Sequence, residues 1–167
     1  MNAKHHTLAL ARYLFLLALC FSVTLLSACG KSQMSAHYAY PMTSRGDAIA
    51  ATAKTQLGKS YRKGGTSPLS GFDCSGLVLW AYAQHGVSVP RSSRDQANAG
   101  VRVSRSALRP GDIVVFKTSW VGYHTGIYVG QKRFVHSPRP RTTVRFDSLD
   151  NVYWKDHFVS GRRILQH

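Results

Sequence analysis

The stretch Gly71-Phe72-Asp73-Cys74-Ser75-Gly76-Leu77-Val78-Leu79-Trp80, GFDCSGLVLW, sets one thiol between a turn and a run of large apolar residues. Upstream, YRKGGTSPLSGFD (Tyr61 to Asp73) is a loop rich in Gly, Ser and Pro. Downstream, Leu77, Val78, Trp80, Ala81 and Tyr82 go almost completely round a helical wheel. The pattern predicts a buried helix that begins at Cys74, is capped by Asp73 and stops before Gly86. Cys74 then sits in a first helical turn, where unpaired N–H groups and the helix dipole favour a thiolate and lower its pKa. The negative charge of Asp73 works against this, so a base or a cation is needed to complete the activation. The competing reading is a small buried hydrophobe, since free cysteine is among the most buried residue types.

The rest of the chain narrows the choice. With 167 residues and 44% hydrophobic content, one domain with one core is expected. The 22 Lys and Arg stand against 7 acidic residues, all Asp, for a formal charge of +15. Such a balance points to an anionic partner. The N-terminus argues against nucleic acid as that partner: Lys4, His5, His6 and Arg12 precede an apolar run from Tyr13 to Leu26, which reads as an export signal. No basic helix with interleaved aromatics appears either. A bilayer-spanning helix needs roughly 20 apolar residues, so this run is too short to be an anchor by itself. Leu26-Ser27-Ala28-Cys29 resembles the lipobox of bacterial lipoproteins, which implies cleavage before Cys29 and a diacylglyceryl group on its sulfur. Residues 1–28 are thus read as a lipoprotein signal peptide, 29–45 as lipidated cysteine and flexible tether, and 46–167 as the domain. At about 3.5 Å per residue, the extended tether reaches roughly 50 Å from the membrane. Gly30, in place of the Asp that resembles an inner-membrane retention signal, favours the periplasmic face of the outer membrane.

Of the three cysteines, Cys20 leaves with the signal and Cys29 is blocked by lipid, so Cys74 has no partner. A lone thiol in an oxidising compartment argues for reactivity. A first helix is expected over Asp47 to Leu57, followed by Gly58. The second half reads as strands: Asp112 to Phe116, His124 to Val129 and Arg133 to His136. The Gly130-Gln131-Lys132 break predicts a hairpin whose register decides whether its two histidines meet. A three-residue loop pairs Val129 with Arg133 and sets His136 opposite Gly126, making His124 and His136 diagonal neighbours on one face. A two-residue loop would place them on opposite faces, so a catalytic pair requires the three-residue register, optionally with Gly130 in a left-handed turn.

GFDCSGLV, RPGDIVVFK, HTGIYVG and RFVHSP, in that order, resemble the NlpC-type family of papain-like cell-wall peptidases, and the late SLDNVYW is similar too. The resemblance covers about Asp47 to Arg163. It implies an α+β, papain-like fold, with the nucleophile's helix packed on a central antiparallel sheet. It further implies Cys74 as nucleophile, His124 as general base and His136 as the polar residue orienting His124. Tyr61 would help polarise the substrate carbonyl, and Asp73 and Ser75 would line the groove. Thr125 departs from the family pattern, which has a branched apolar residue there. The implied substrates are the stem peptides and cross-links of peptidoglycan, with the bond from D-alanine to diaminopimelate favoured over that from D-glutamate to diaminopimelate. Carboxylate-rich murein suits the basic chain, with Arg91, Arg94, Arg139, Arg141 and Arg145 as candidate attractors. No cofactor or metal is expected, because the Cys and His positions lack a tight ligand pair. A monomer is expected. The competing classes are a non-catalytic murein-binding lipoprotein and a transacylase or amidase using the same three residues.

Overall fold

The computed structural model describes residues 44–119 and 122–165. The export signal, Cys20, the lipidation site Cys29 and the tether as far as residue 43 lie outside the described residues. Ser44 opens α1 (Arg45–Lys54) with a capping box: its hydroxyl accepts from the Asp47 N–H, and the Asp47 carboxylate accepts from the Ser44 N–H at 2.9 Å. This reciprocal cap starts the helix two residues ahead of Asp47. It ends at Lys54, before the expected Leu57, and turns carry the chain to Gly58 at φ 82°. Ile49, Ala50 and Ala53 form its buried stripe.

A small hairpin, β1 (Thr66–Ser67) with β2 (Gly71–Phe72), leads into α2 (Cys74–Ala83). Asp73 caps α2, accepting from the Gly76 N–H at 2.7 Å. Leu77, Val78, Ala81 and Tyr82 are buried, while Leu79 and Trp80 keep partial exposure, so the helix is less enclosed than its composition implies. After α3 (Ser93–Gln96) come β3 (Val101–Val103), β4 (Ile113–Lys117), β5 (Tyr123–Gly130), β6 (Arg133–His136), β7 (Arg145–Ser148), α4 (Val152–His157) and β8 (Phe158–Arg163). The larger strands form a six-stranded sheet in the order β3-β8-β4-β5-β6-β7, antiparallel at every pair. This is the α+β, helix-on-antiparallel-sheet fold expected from the sequence.

Alternation along β4, β5 and β6 divides the core into two layers. Ile113, Val115, Ile127 and Val135 face α1 and α2, packing with Ile49, Ala53, Leu77, Val78 and Ala81. Val114, Phe116 and Phe134 face the other way, against Leu149 and Trp154 of α4. Each fully buried large side chain contributes about 1.5–3 kcal/mol relative to exposure.

The β5–β6 hairpin combines features of both loops considered from the sequence. Gln131 and Lys132 form a two-residue turn, both at positive φ (51° and 57°). A bulge at Val129-Gly130, with Gly130 at φ 91°, takes up one residue. Beyond it Tyr128 pairs with Phe134 and Ile127 with Val135, which is the register of the three-residue alternative. Continued one step, it sets Gly126 opposite His136.

Candidate active site

A Cβ added at Gly126 would stand 2.8 Å from the Val135 carbonyl oxygen and 3.1 Å from the His136 Cβ. The bare glycine therefore leaves the space the two imidazoles share. His124 Nε2 lies 2.7 Å from His136 Nδ1, and the rings meet edge to face at 88°. The same diagonal step is repeated one strand further on. His136 pairs with Arg145 across β6–β7, and Asp147, two residues along, places Oδ2 2.9 Å from His136 Nε2. The Trp154 indole N–H (2.9 Å) and Arg145 (3.1 Å) donate to that same oxygen. Trp154 also packs its ring 5.3 Å from His124 and 5.0 Å from His136, and both histidines are buried.

This chain fixes the tautomers. A carboxylate only accepts, so His136 Nε2 carries the proton and donates to Asp147. Neutral His136 then accepts at Nδ1 from the His124 Nε2–H, which leaves Nδ1 of His124 as its basic nitrogen. Burial, and then the His136 charge, lower the His124 pKa, against an opposing pull from Asp147. Burial also lowers His136, although Asp147 acts to raise it. For Asp147, burial pushes upward, but the hydrogen bond and charge of His136, with Trp154 and Arg145, outweigh it and hold the carboxyl at about 2. At neutral pH the array is thus a neutral imidazole pair backed by a carboxylate.

Cys74 is a free thiol at the start of α2, and the Thr125 N–H, on the residue after His124, acts to lower its pKa. The N–H groups of Ser75 and Cys74 do so as well. Their effect has the sign expected for a helix N-terminus, yet the net shift is the opposite of the one read from the sequence. Burial pushes the Cys74 thiol up, Asp73 adds to that, and the backbone donors do not compensate. The resting nucleophile is a neutral thiol.

Asp73 and Ser75 form one cluster with a partner the sequence reading assigned to charge attraction alone. Arg91 donates to Asp73 through both terminal nitrogens (3.1 and 2.7 Å) and to Ser75 Oγ at 2.9 Å. Asp73 also accepts from the Gly64 N–H at 2.9 Å, tying down the preceding loop. Ser75 is 5% exposed, so it holds Arg91 in place more than it lines a groove. Tyr61 is partly exposed; burial and then the charges of Cys74 and Asp73 raise its phenol pKa, which puts the ring in the field of the nucleophile.

Asp147, Trp154 and Gln96 are site residues that sequence reading missed. Gln96 is fully buried; its amide N–H groups donate to the Ser75 and Pro90 carbonyls (3.0 and 2.8 Å), and its Oε1 accepts from Thr125 at 2.8 Å. It ties the helix of Cys74 to the strand of His124. Thr125, the departure from the apolar pattern, is thereby explained. A signal for Asp147 exists in the sequence only for a reader who knows that β7 pairs with β6. His85 accepts no special role: its Nε2 lies 2.8 Å from Thr52 Oγ1, linking α1 and α2.

A helix-borne cysteine against a strand-borne histidine pair defines a papain-like site. Residues 58–163 match the NlpC/P60 family model, and the chain belongs to that family. It is 41% identical over 115 residues to the murein DD-endopeptidase MepH of Escherichia coli, covering 66% of this chain and 42% of that one. It is 39% identical over 110 residues to the bifunctional muramidase/DL-endopeptidase CwlT of Bacillus subtilis, covering 64% and 33%. An NlpC/P60 family protein of Bacillus cereus superposes with a TM-score of 0.69 at 33% identity, over 74% of this chain and 41% of that one. The chain spans less than half the length of these curated relatives.

Proposed function

We propose that this protein is a lipid-anchored cysteine endopeptidase that hydrolyses amide bonds in peptidoglycan stem peptides or their cross-links. The observation that carries the reading is the continuous array His124–His136–Asp147, with Cys74 in the first turn of α2, the helix that packs on the strand of His124. In the reaction, His124 Nδ1 takes the thiol proton as sulfur attacks the carbonyl carbon. The Cys74 N–H at the helix start stabilises the oxyanion. His124 then returns the proton to the leaving nitrogen as the C–N bond breaks, giving a thioester and a free amine. Water, deprotonated by His124, attacks the thioester and releases the carboxylate and the thiol. His136 holds the ring plane of His124 throughout, and Asp147 offsets the positive charge that spreads over the pair. Tyr61 polarises the carbonyl from the loop side.

A short tether on Cys29 would hold the domain against intact, cross-linked murein, at the periplasmic face of an outer membrane. That favours the D-alanine to diaminopimelate cross-link. The similarity to a relative named for DL-endopeptidase activity keeps the D-glutamate to diaminopimelate bond as the second reading. Mass spectrometry of purified sacculi after digestion tests both. Conversion of dimeric muropeptides to monomers with uncut tetrapeptide stems is expected. Dipeptide stems would move the assignment to the D-glutamate bond, whole released peptides would indicate an amidase, and an unchanged profile would leave a binding module. The anchor is tested separately: Cys29→Ala is expected to leave the membrane fraction with activity on soluble muropeptides intact, and its retention there would refute the lipid anchor.

A further inference from the structure

The bond that breaks has two halves, and the site treats them differently. Because His124 commits Nε2 to His136, the leaving amine takes its proton from Nδ1, so the amine half of the substrate passes beside the His124 ring. Asp73 and Ser75 flank the nucleophile along the chain, and Arg91 binds both. A cavity of about 490 Å³ opens on the His124 side, and none of those residues lines it. Its wall includes His124, Arg139, Arg145, Asp147, Tyr153 and Trp154.

The chemistry of that wall is selective. Two guanidinium groups face one carboxylate, and the Oδ2 of that carboxylate already accepts from His136, Trp154 and Arg145. Arg145 is about half exposed, at 49%, so donors remain for a ligand. The Arg139 guanidinium makes no ion pair among the described residues. The Tyr153 ring stands 48% exposed, held by stacking on His157 at 4.2 Å and by edge contact with Trp154. A net positive hollow with an aromatic wall suits a carboxylate carried on an aliphatic chain. We infer that this cavity is the leaving-side subsite, and that Arg139, with Arg145, binds a carboxylate on the carbon that bears the scissile nitrogen. The inference rests on the stem-peptide reading above and deepens it. The amine-side residue of a diaminopimelate cross-link carries such a carboxylate, free or amidated.

The test uses the full chain with Cys74→Ala and calorimetric titration at low salt with a disaccharide-tetrapeptide monomer, the amine-side product of a cross-link cut. Its counterpart has the carboxylate beside the diaminopimelate amine converted to an amide. We expect the free acid to bind at least about tenfold tighter than the amide, a difference within the range of one charge-assisted pair. Adding Arg139→Gln should erase the difference, and Arg139→Lys should restore part of it. Equal binding of acid and amide, no measurable binding of either, or undiminished discrimination after Arg139→Gln would overturn the subsite. A parallel arm measures hydrolysis of acid and amide dimers by the chain with Cys74 intact. If no dimer is cut, the bond assignment falls, while the titration still decides the subsite.

Discussion

Asp147 gives one residue the task of holding two histidines in a single tautomer. In Asp147→Asn the side chain keeps its size, but its amide N–H₂ faces donors that already point at Oδ2. We expect kcat to fall by about 10- to 100-fold with KM little changed, less than the 10²–10⁴-fold that a positioned acid–base group supplies. A purely structural role would instead lower stability and leave the pH profile of the remaining activity unmoved. By the same logic His136→Gln keeps measurable activity, because its Oε1 can accept from the His124 Nε2–H, whereas His124→Gln is inactive. Equal tolerance at the two positions would void the assigned roles. The raised Cys74 pKa makes its own demand. Iodoacetamide labelling of Cys74 in the free protein should keep accelerating past pH 9, the ordinary thiol value, with no plateau near neutrality. A plateau near pH 7 would mean that a thiolate pairs with protonated His124 at rest.

At the scale of elements, the β5–β6 hairpin is the part on which the site depends. Its bulge restores the register that a two-residue turn would otherwise break, and Gly126 makes the space in which the rings meet. Gly126→Ala drives a methyl into the Val135 carbonyl and toward Phe134 and His136. An overpacking cost of about 1–3 kcal/mol is expected, with a loss of kcat larger than the stability change alone explains. Thermal melts paired with steady-state rates check this, and a stable, fully active variant would show that the hairpin has slack. The strands β1, β2, β3, β7 and β8 and the helices α3 and α4 were not legible as elements. They are short, and the strands take their form from remote pairing, β1 with β2, β3 with β8, β8 with β4 and β7 with β6; Phe158 to Arg163 has no clean alternation. The three central strands were legible to within a residue or so at each end, because their apolar runs are bounded by Gly, Pro and Asp.

For the whole molecule, burying two histidines as neutral groups links folding to pH. The unfolded chain binds protons on them below the ordinary value of 6.5, and the folded chain does not. Stability is therefore full above 6.5 and declines as pH falls, at up to about 1.4 kcal/mol per pH unit for each histidine. The contribution of Asp147 has a different window, since its depressed carboxyl stabilises the fold above the ordinary 3.8 and loses that effect as pH falls toward about 2. We expect the melting temperature to drop steadily between pH 6.5 and about 4.5, with a shallower slope in His136→Gln. A flat profile in that range would mean that the histidines are protonated in the folded state.

What the sequence by itself determined was local and periodic: a capped helix with Cys74 in its first turn, three central strands, and a hairpin whose two histidines meet in one of two registers. These follow from side-chain period, cap chemistry and turn residues, which act over a few positions of chain. The tertiary structure decided what depends on distance between remote residues. It chose the register through the Gly130 bulge, brought Asp147 and Trp154 to His136, and joined Gln96 to both Ser75 and Thr125. It also reversed the expected shift of the Cys74 thiol. A helix N-terminus is a local feature that favours charge, but desolvation is set by everything packed around the sulfur, and no stretch of sequence states how much that is.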